Sequence, residues 1–96
     1  MREVKIDKEN LIWDEWNVKH IRKHNIVPYE IEELLKNDYV ARKTHKDRIM
    51  ITGRSGKRIL SVILEQEEKG YYVVTARDAG RRERRAYRDE KTKKTT

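Results

Sequence analysis

The spacing of hydrophobic residues changes character once along the chain. From Trp13 to Lys36 apolar side chains recur at helical intervals; from Tyr39 to Arg77 they alternate or run in short β-branched blocks. The first helix is expected to start after Asp14, whose carboxylate can cap the open N–H groups of the first turn, and to run to about His24. Asn25 then suits a left-handed C-cap, a geometry Asn tolerates better than most residues. A second helix begins at Pro28, a preferred first helical position. Glu30, Glu32 and Glu33 sit early in it, where the dipole favours anions, and Ile31, Leu34 and Leu35 form its apolar stripe. Val27, at its N-cap, supplies no side-chain acceptor.

"YVARKT" (39–44), "RIMITG" (48–53), "RILSVIL" (58–64) and "YYVVTAR" (71–77) read as four strands. "GRSGK" (53–57) and "EQEEKG" (65–70) read as hairpin connections, so the sheet is expected to be an antiparallel meander. Leu60, Val62 and Leu64 alternate onto one face and Ile59, Ser61 and Ile63 onto the other, the pattern of a central strand with helices on at least one side. Upstream, Val4 and Ile6 alternate as a short edge strand, and "LIW" (11–13) leads into the first helix. Gly80 ends the last strand and opens a final helix over 81–90; "KTKKTT" (91–96) reads as a disordered basic tail. The expected fold class is α+β: two N-terminal helices, a four-stranded antiparallel meander and a C-terminal helix, in one domain over residues 1–90.

Charge changes this picture more than composition does. The net charge is +7, and residues 77–96 hold nine Lys or Arg against four Asp or Glu. Such lopsided basic charge points to a polyanionic partner: nucleic acid first, an acidic protein second, an anionic membrane surface a distant third. There is no cysteine, which excludes disulfides, thiolate metal sites and a cysteine nucleophile and is compatible with a reducing cytoplasm. No signal peptide is expected, and no apolar run is long enough to span a bilayer.

"TARDAGRRERRAYRDE" (75–90) concentrates six arginines in sixteen positions. On a helix Arg81, Arg84, Arg85 and Arg88 fall at i, i+3, i+4 and i+7 and share one face, where like charges repel. The planar guanidinium fork binds two phosphate oxygens at once, which the lysine ammonium cannot do. Arg77 ends the preceding strand, on the expected face of Thr75 and Val73, close to a helix N-terminus that also favours anions. This junction is the candidate phosphate site, with Arg54 of the "TGRSGKR" hairpin (52–58) on its rim. In that hairpin Gly53 and Gly56 permit positive φ. The competing reading is a solvated basic helix, or one paired with the acidic residues 30–33.

"WDEWNVKHIRKHNI" (13–26) puts Asn17, His20, Ile21 and His24 on one face with Trp16. Two His at i, i+4 can chelate a metal, but no third ligand is obviously placed. Core histidines hydrogen-bonded beneath the sheet are the structural alternative. General acid–base chemistry is a further one: RNA cleavage needs a base for the 2′-OH, cations for the phosphate and an acid for the leaving 5′-oxygen.

The two blocks "WDEWNVKHIRKHNIVPYEIEELL" and "VVTARDAGRRERRAYR", with a "GRS" hairpin between them, closely resemble the BrnT-type toxins of bacterial type II toxin–antitoxin systems. The resemblance spans roughly residues 11–88 and is carried by Trp13, Asp14, Asn17, His20, His24, Pro28, Glu30, Gly53, Arg54, Thr75, Ala76, Arg77, Asp78, Arg81, Arg82, Glu83 and Tyr87. Asn25, Val27, Ala79 and Gly80 depart from the usual pattern, at helix ends. The resemblance implies a fold similar to RelE-type ribonuclease toxins and a translation-blocking, RNA-cleaving activity without cofactor. It also implies restraint by a BrnA-type antitoxin, and promoter DNA bound mostly through that antitoxin. On this reading a cytoplasmic, metal-independent endoribonuclease would use His24, His20 and Arg77 in catalysis, and Arg54, Arg81, Arg84, Arg85 and Arg88 on phosphates. Tyr87 would stack on a base or orient Glu83. The alternative is a non-catalytic basic module that binds nucleic acid or an acidic protein.

Overall fold

The computed structural model describes residues 5–95, with side chains as far as Glu90. A 3₁₀ turn, Lys8–Asn10, leads into β1 (Leu11–Ile12), α1 (Glu15–Arg22) and α2 (Pro28–Lys36). The strands β2 (Tyr39–His45), β3 (Arg48–Ser55), β4 (Arg58–Glu67) and β5 (Gly70–Asp78) follow, and then α3 (Arg81–Thr95).

Both early helices form where their caps dictate. Asp14 Oδ1 accepts from the Asn17 amide at 2.9 Å, and Asn17 Oδ1 accepts from the Asp14 amide at 2.8 Å, a reciprocal capping box. Asn25 takes φ 61°, the left-handed conformation expected of it. At α2 the missing Val27 acceptor is half replaced by the reverse bond, from the Val27 amide to Glu30 Oε1 at 3.0 Å.

The expected meander is present, with one strand added. The sheet order is β1-β5-β4-β3-β2: the four later strands pair antiparallel, and β1 lies parallel to β5 through Leu11↔Tyr71 and Ile12↔Tyr72. The first strand among the described residues is therefore at Leu11–Ile12. Ile6 is buried in irregular chain, its amide donating to the Tyr39 hydroxyl at 3.0 Å, and Val4 lies outside the described residues. A two-residue parallel strand leaves almost no periodic trace, which explains why "LIW" reads as a helix approach.

Leu60, Val62 and Leu64 are fully buried against Ile51, Val73 and Ala76, with Ile21 and Ile26 from the α1 region and Ile31 and Leu34 from α2 above them. These residues form one core on one face of the sheet. α3 packs on the other face against β2 and β3; Tyr87 of α3 is 3% exposed, and Thr52 and Ser61 on that face are buried. Gly53 is not a turn residue. It sits inside β3, where a Cβ would stand 2.9 Å from Tyr39 Cβ and 3.1 Å from Leu34 Cγ; its absence lets α2 approach the sheet. The turn is carried by Gly56, at φ 62° between the paired residues Ser55 and Arg58.

α3 runs to Thr95, past the expected end at residue 90 and through most of the stretch read as a tail. That stretch holds no Gly or Pro to stop a helix, and its lysines fall at the C-terminal end, where the dipole favours cations.

Candidate functional site

The site is built where β5 hands over to α3, with α1 alongside. A bulge decides which β5 side chains face it. Ile63 pairs with Thr75 and Leu64 with Val73, so Val74 is the extra residue. The slip sends Val73 into the core and leaves Thr75 and Arg77 together on the α3 face, where the ladder sets Arg77 opposite Ser61 and Ser61 opposite Thr52. The expectation that Val73 shares the Arg77 face fails for this reason.

α1 divides into two faces. Asn17 and Ile21 are buried, with Asn17 Nδ2 donating to the Ile12 carbonyl at 2.8 Å. Trp16 and His20 are exposed on the other side and His24 is exposed in the turn that follows α1, so the single face expected for all five is not one face. The histidines are not core residues. His20 Nε2 lies 3.0 Å from Thr75 Oγ1, a bond that fixes the ring on β5. The His24 ring meets it edge-on, centroids 5.8 Å apart. Among the described residues no group of three His, Cys, Asp or Glu is placed to hold a metal. The Tyr72 hydroxyl donates to both Asp14 carboxylate oxygens, at 3.1 and 3.0 Å, and steadies the start of α1 against β5. Burial and then the Asp14 carboxylate push the phenol pKa up, which keeps it a donor.

Arg77 is not open in the way its sequence position suggests. Its Nη1 and Nη2 donate to Glu83 Oε1 and Oε2 at 2.9 and 2.6 Å. Glu83 Oε1 also accepts from the Gly80 amide at 2.9 Å and from Ser61 Oγ at 2.7 Å. Since the Ser61 proton is used here, Thr52 Oγ1 must be the donor in the 2.9 Å Thr52–Ser61 bond. The Arg77 fork and then the Gly80 and Ser61 donors hold the Glu83 carboxyl down at about 2, against the desolvation that raises it. Glu83 in turn pushes the Arg77 pKa up. Glu83 thus stands in for the N-cap side chain that Gly80 lacks. The end-on pairing leaves the Nε–H edge of Arg77, and a side chain 48% exposed, for another anion.

The outer face of α3 is different. Arg81, Arg84, Arg85 and Arg88 line one open cleft of about 270 Å³. Among the described residues Arg81, Arg84 and Arg85 form no ion pair, so their mutual repulsion is uncompensated within the chain. Arg82 turns instead toward β2, lining a groove with Val40, Arg42, Met50 and Thr52. The acidic residues 30–33 do not neutralise the stripe: Glu30 is held by Arg58 at 2.9 Å and Glu33 by Lys36 at 4.0 Å.

The structure therefore brings His20, His24, Thr75 and Arg77 to one side of β5, and the four stripe arginines to one cleft. Arg54 is exposed on the α3 face of β3, one alternation beyond Thr52. Tyr87 is buried, so it is a packing residue of α3 and not a platform for a base. Thr75, Ser61 and Thr52 carry no role in the sequence-based reading of the site. Glu83 was legible as the third helical position after Gly80, the N3 position from which Glu reaches back to an N-cap amide.

No family model matches the chain, and no curated protein matches it. The crystal structure of the Brucella abortus ribonuclease toxin BrnT is similar, with a TM-score of 0.60 and 28% sequence identity over 74% of this chain and 96% of that one. The resemblance to BrnT-type toxins read from the sequence is thus supported by a solved structure of that type. Within a BrnT-like fold of three helices and a five-stranded mixed sheet, His20 of α1, His24 just after it and the arginines of β5 and α3 are this chain's candidate chemistry. No helix among the described residues is long and apolar enough to cross a membrane.

Proposed function

We propose that this chain is the toxin of a type II toxin–antitoxin pair and a metal-independent endoribonuclease with a RelE-like active face, working in the cytoplasm. The observation that carries this reading is the pair of exposed imidazoles, His20 held to β5 at Thr75 and His24 edge-on to it, beside the strand that also carries Arg77, in a chain similar to a ribonuclease toxin. One histidine takes the proton of a ribose 2′-hydroxyl. The 2′-oxygen attacks phosphorus, the bond to the 5′-oxygen breaks, and the other histidine protonates that oxygen. The products are a 2′,3′-cyclic phosphate and a free 5′-hydroxyl, and no cofactor is consumed. His20, oriented by Thr75, is the fixed partner; His24 is the freer one. The open edge of Arg77 and the α3 stripe stabilise the charge that gathers on the phosphate, with Arg54 at the rim.

Arg81, Arg84 and Arg85, which form no ion pair among the described residues, also fit an acidic segment of a BrnA-type antitoxin, which would block the RNA path by covering them; promoter DNA would then be reached through the antitoxin. Expression of the chain alone in bacteria tests the reading. Growth arrest with RNA decay is expected, lost in His20→Ala and His24→Ala and restored to tolerance by the antitoxin. Salt-sensitive RNA binding with intact RNA and normal growth would instead mark a non-catalytic basic module.

A further inference from the structure

Trp16 is the most exposed large apolar residue described: 81% of it faces solvent. An indole left in water forgoes the gain of burial, and the fold does not require that exposure, because α1 is anchored through Asn17 and Ile21 on another side. Its surroundings say what covers it. Lys19, His20 and Lys23 lie three, four and seven positions on, all exposed and on the same helical face. The indole is the one apolar member of a basic stripe, and that stripe meets β5 at the His20–Thr75 bond. A protein-docking patch would surround a tryptophan with further apolar side chains. An aromatic ring among cations suits a flat π-system carried on an anionic chain.

We propose that Trp16 is a stacking platform for one unpaired nucleobase, a helical turn from His20, and that the RNA this surface accepts is single-stranded. The proposal rests on the ribonuclease reading above and names its substrate class. In a duplex the bases are paired and stacked on each other and cannot lie flat on a surface indole; in a single strand they can be splayed onto it. A base held there fixes the adjoining phosphate relative to His20 without Trp16 touching the reacting atoms.

Affinity for a short 2′-O-methyl oligouridine, which lacks the attacking hydroxyl, is to be measured by polarisation, with the strand alone and annealed to its complement. The expected result is a loss of about 5- to 150-fold for Trp16→Ala on the single strand, which corresponds to the ~1–3 kcal/mol that base–aromatic stacking contributes. Trp16→Phe should recover most of that loss, duplex binding should be unchanged, and both variants should melt with the wild type. Equal binding of the single strand by wild type and Trp16→Ala overturns the proposal, as does an equal loss on strand and duplex, or a loss confined to antitoxin binding. If wild type and Trp16→Ala cleave RNA alike, stacking alone is refuted; if the wild type binds neither form, the ribonuclease reading falls with it.

Discussion

Glu83 is where the fold and the site are most tightly joined, and replacing it with Gln gives a sharp prediction. The carboxylate accepts four hydrogen bonds, two from Arg77 and one each from Gly80 and Ser61. Glu83→Gln keeps the shape and one acceptor but turns an N–H₂ group toward the Arg77 fork. A carboxyl lowered from 4.5 to about 2 is worth ~3 kcal/mol when fully shielded. Arg77 is half exposed and solvent screens the pair, so we expect a loss of about 1–2 kcal/mol near neutral pH. For a domain of this size that lowers Tm by roughly 4–16 °C. The pH dependence has a definite sign. The folded pKa is depressed, so the contribution is complete above about 4.5 and disappears as pH falls toward about 2. Urea denaturation of wild type and variant across that range is the assay. A Gln variant as stable as wild type near neutral pH, or a difference that persists undiminished at about pH 2, would refute the reasoning.

Gly53→Ala places a Cβ 2.9 Å from Tyr39 Cβ and 3.1 Å from Leu34 Cγ, and should cost about 1–3 kcal/mol in denaturant titrations. Asn25→Gly removes the penalty of a left-handed non-glycine residue and should leave stability equal or up to about 1 kcal/mol higher. Arg84→Ala and Arg85→Ala should each weaken binding of single-stranded RNA and flatten the slope of log K against log salt by about 0.7, with melting unchanged.

Much of the fold was legible because it is written in local spacing. Pro28 and Asp14 mark the helix starts they were expected to mark, Asn25 takes its left-handed conformation two residues past the Lys23 C-cap of α1, and the alternation of Leu60, Val62 and Leu64 gives the core face directly. The failures are non-local. The pairing of Leu11–Ile12 with β5 rests on two residues far from their partners in sequence. The bulge at Val74 has no Gly or Pro to announce it, yet it reverses the side on which Val73 lies. The Arg77–Glu83 pair spans a strand end, a turn and a helix start, so a count of i, i+3 and i, i+4 neighbours misses it and overstates how free Arg77 is. Tyr87 is buried instead of open to a base for a simple reason: helical periodicity gives a face, but only the packed sheet says which face is covered.

The central claim is that the surface joining α1, β5 and α3 cleaves RNA by its own side chains. Its most direct test is the end-group analysis of RNA incubated with purified protein in excess chelator, beside His20→Ala, a substitution at an exposed position. The account predicts fragments with cyclic phosphate and 5′-hydroxyl ends from the wild type and a loss of at least about 100-fold in rate for the variant with an unchanged melt. Intact RNA from the wild type, or equal cleavage by the His20 variant, would contradict it.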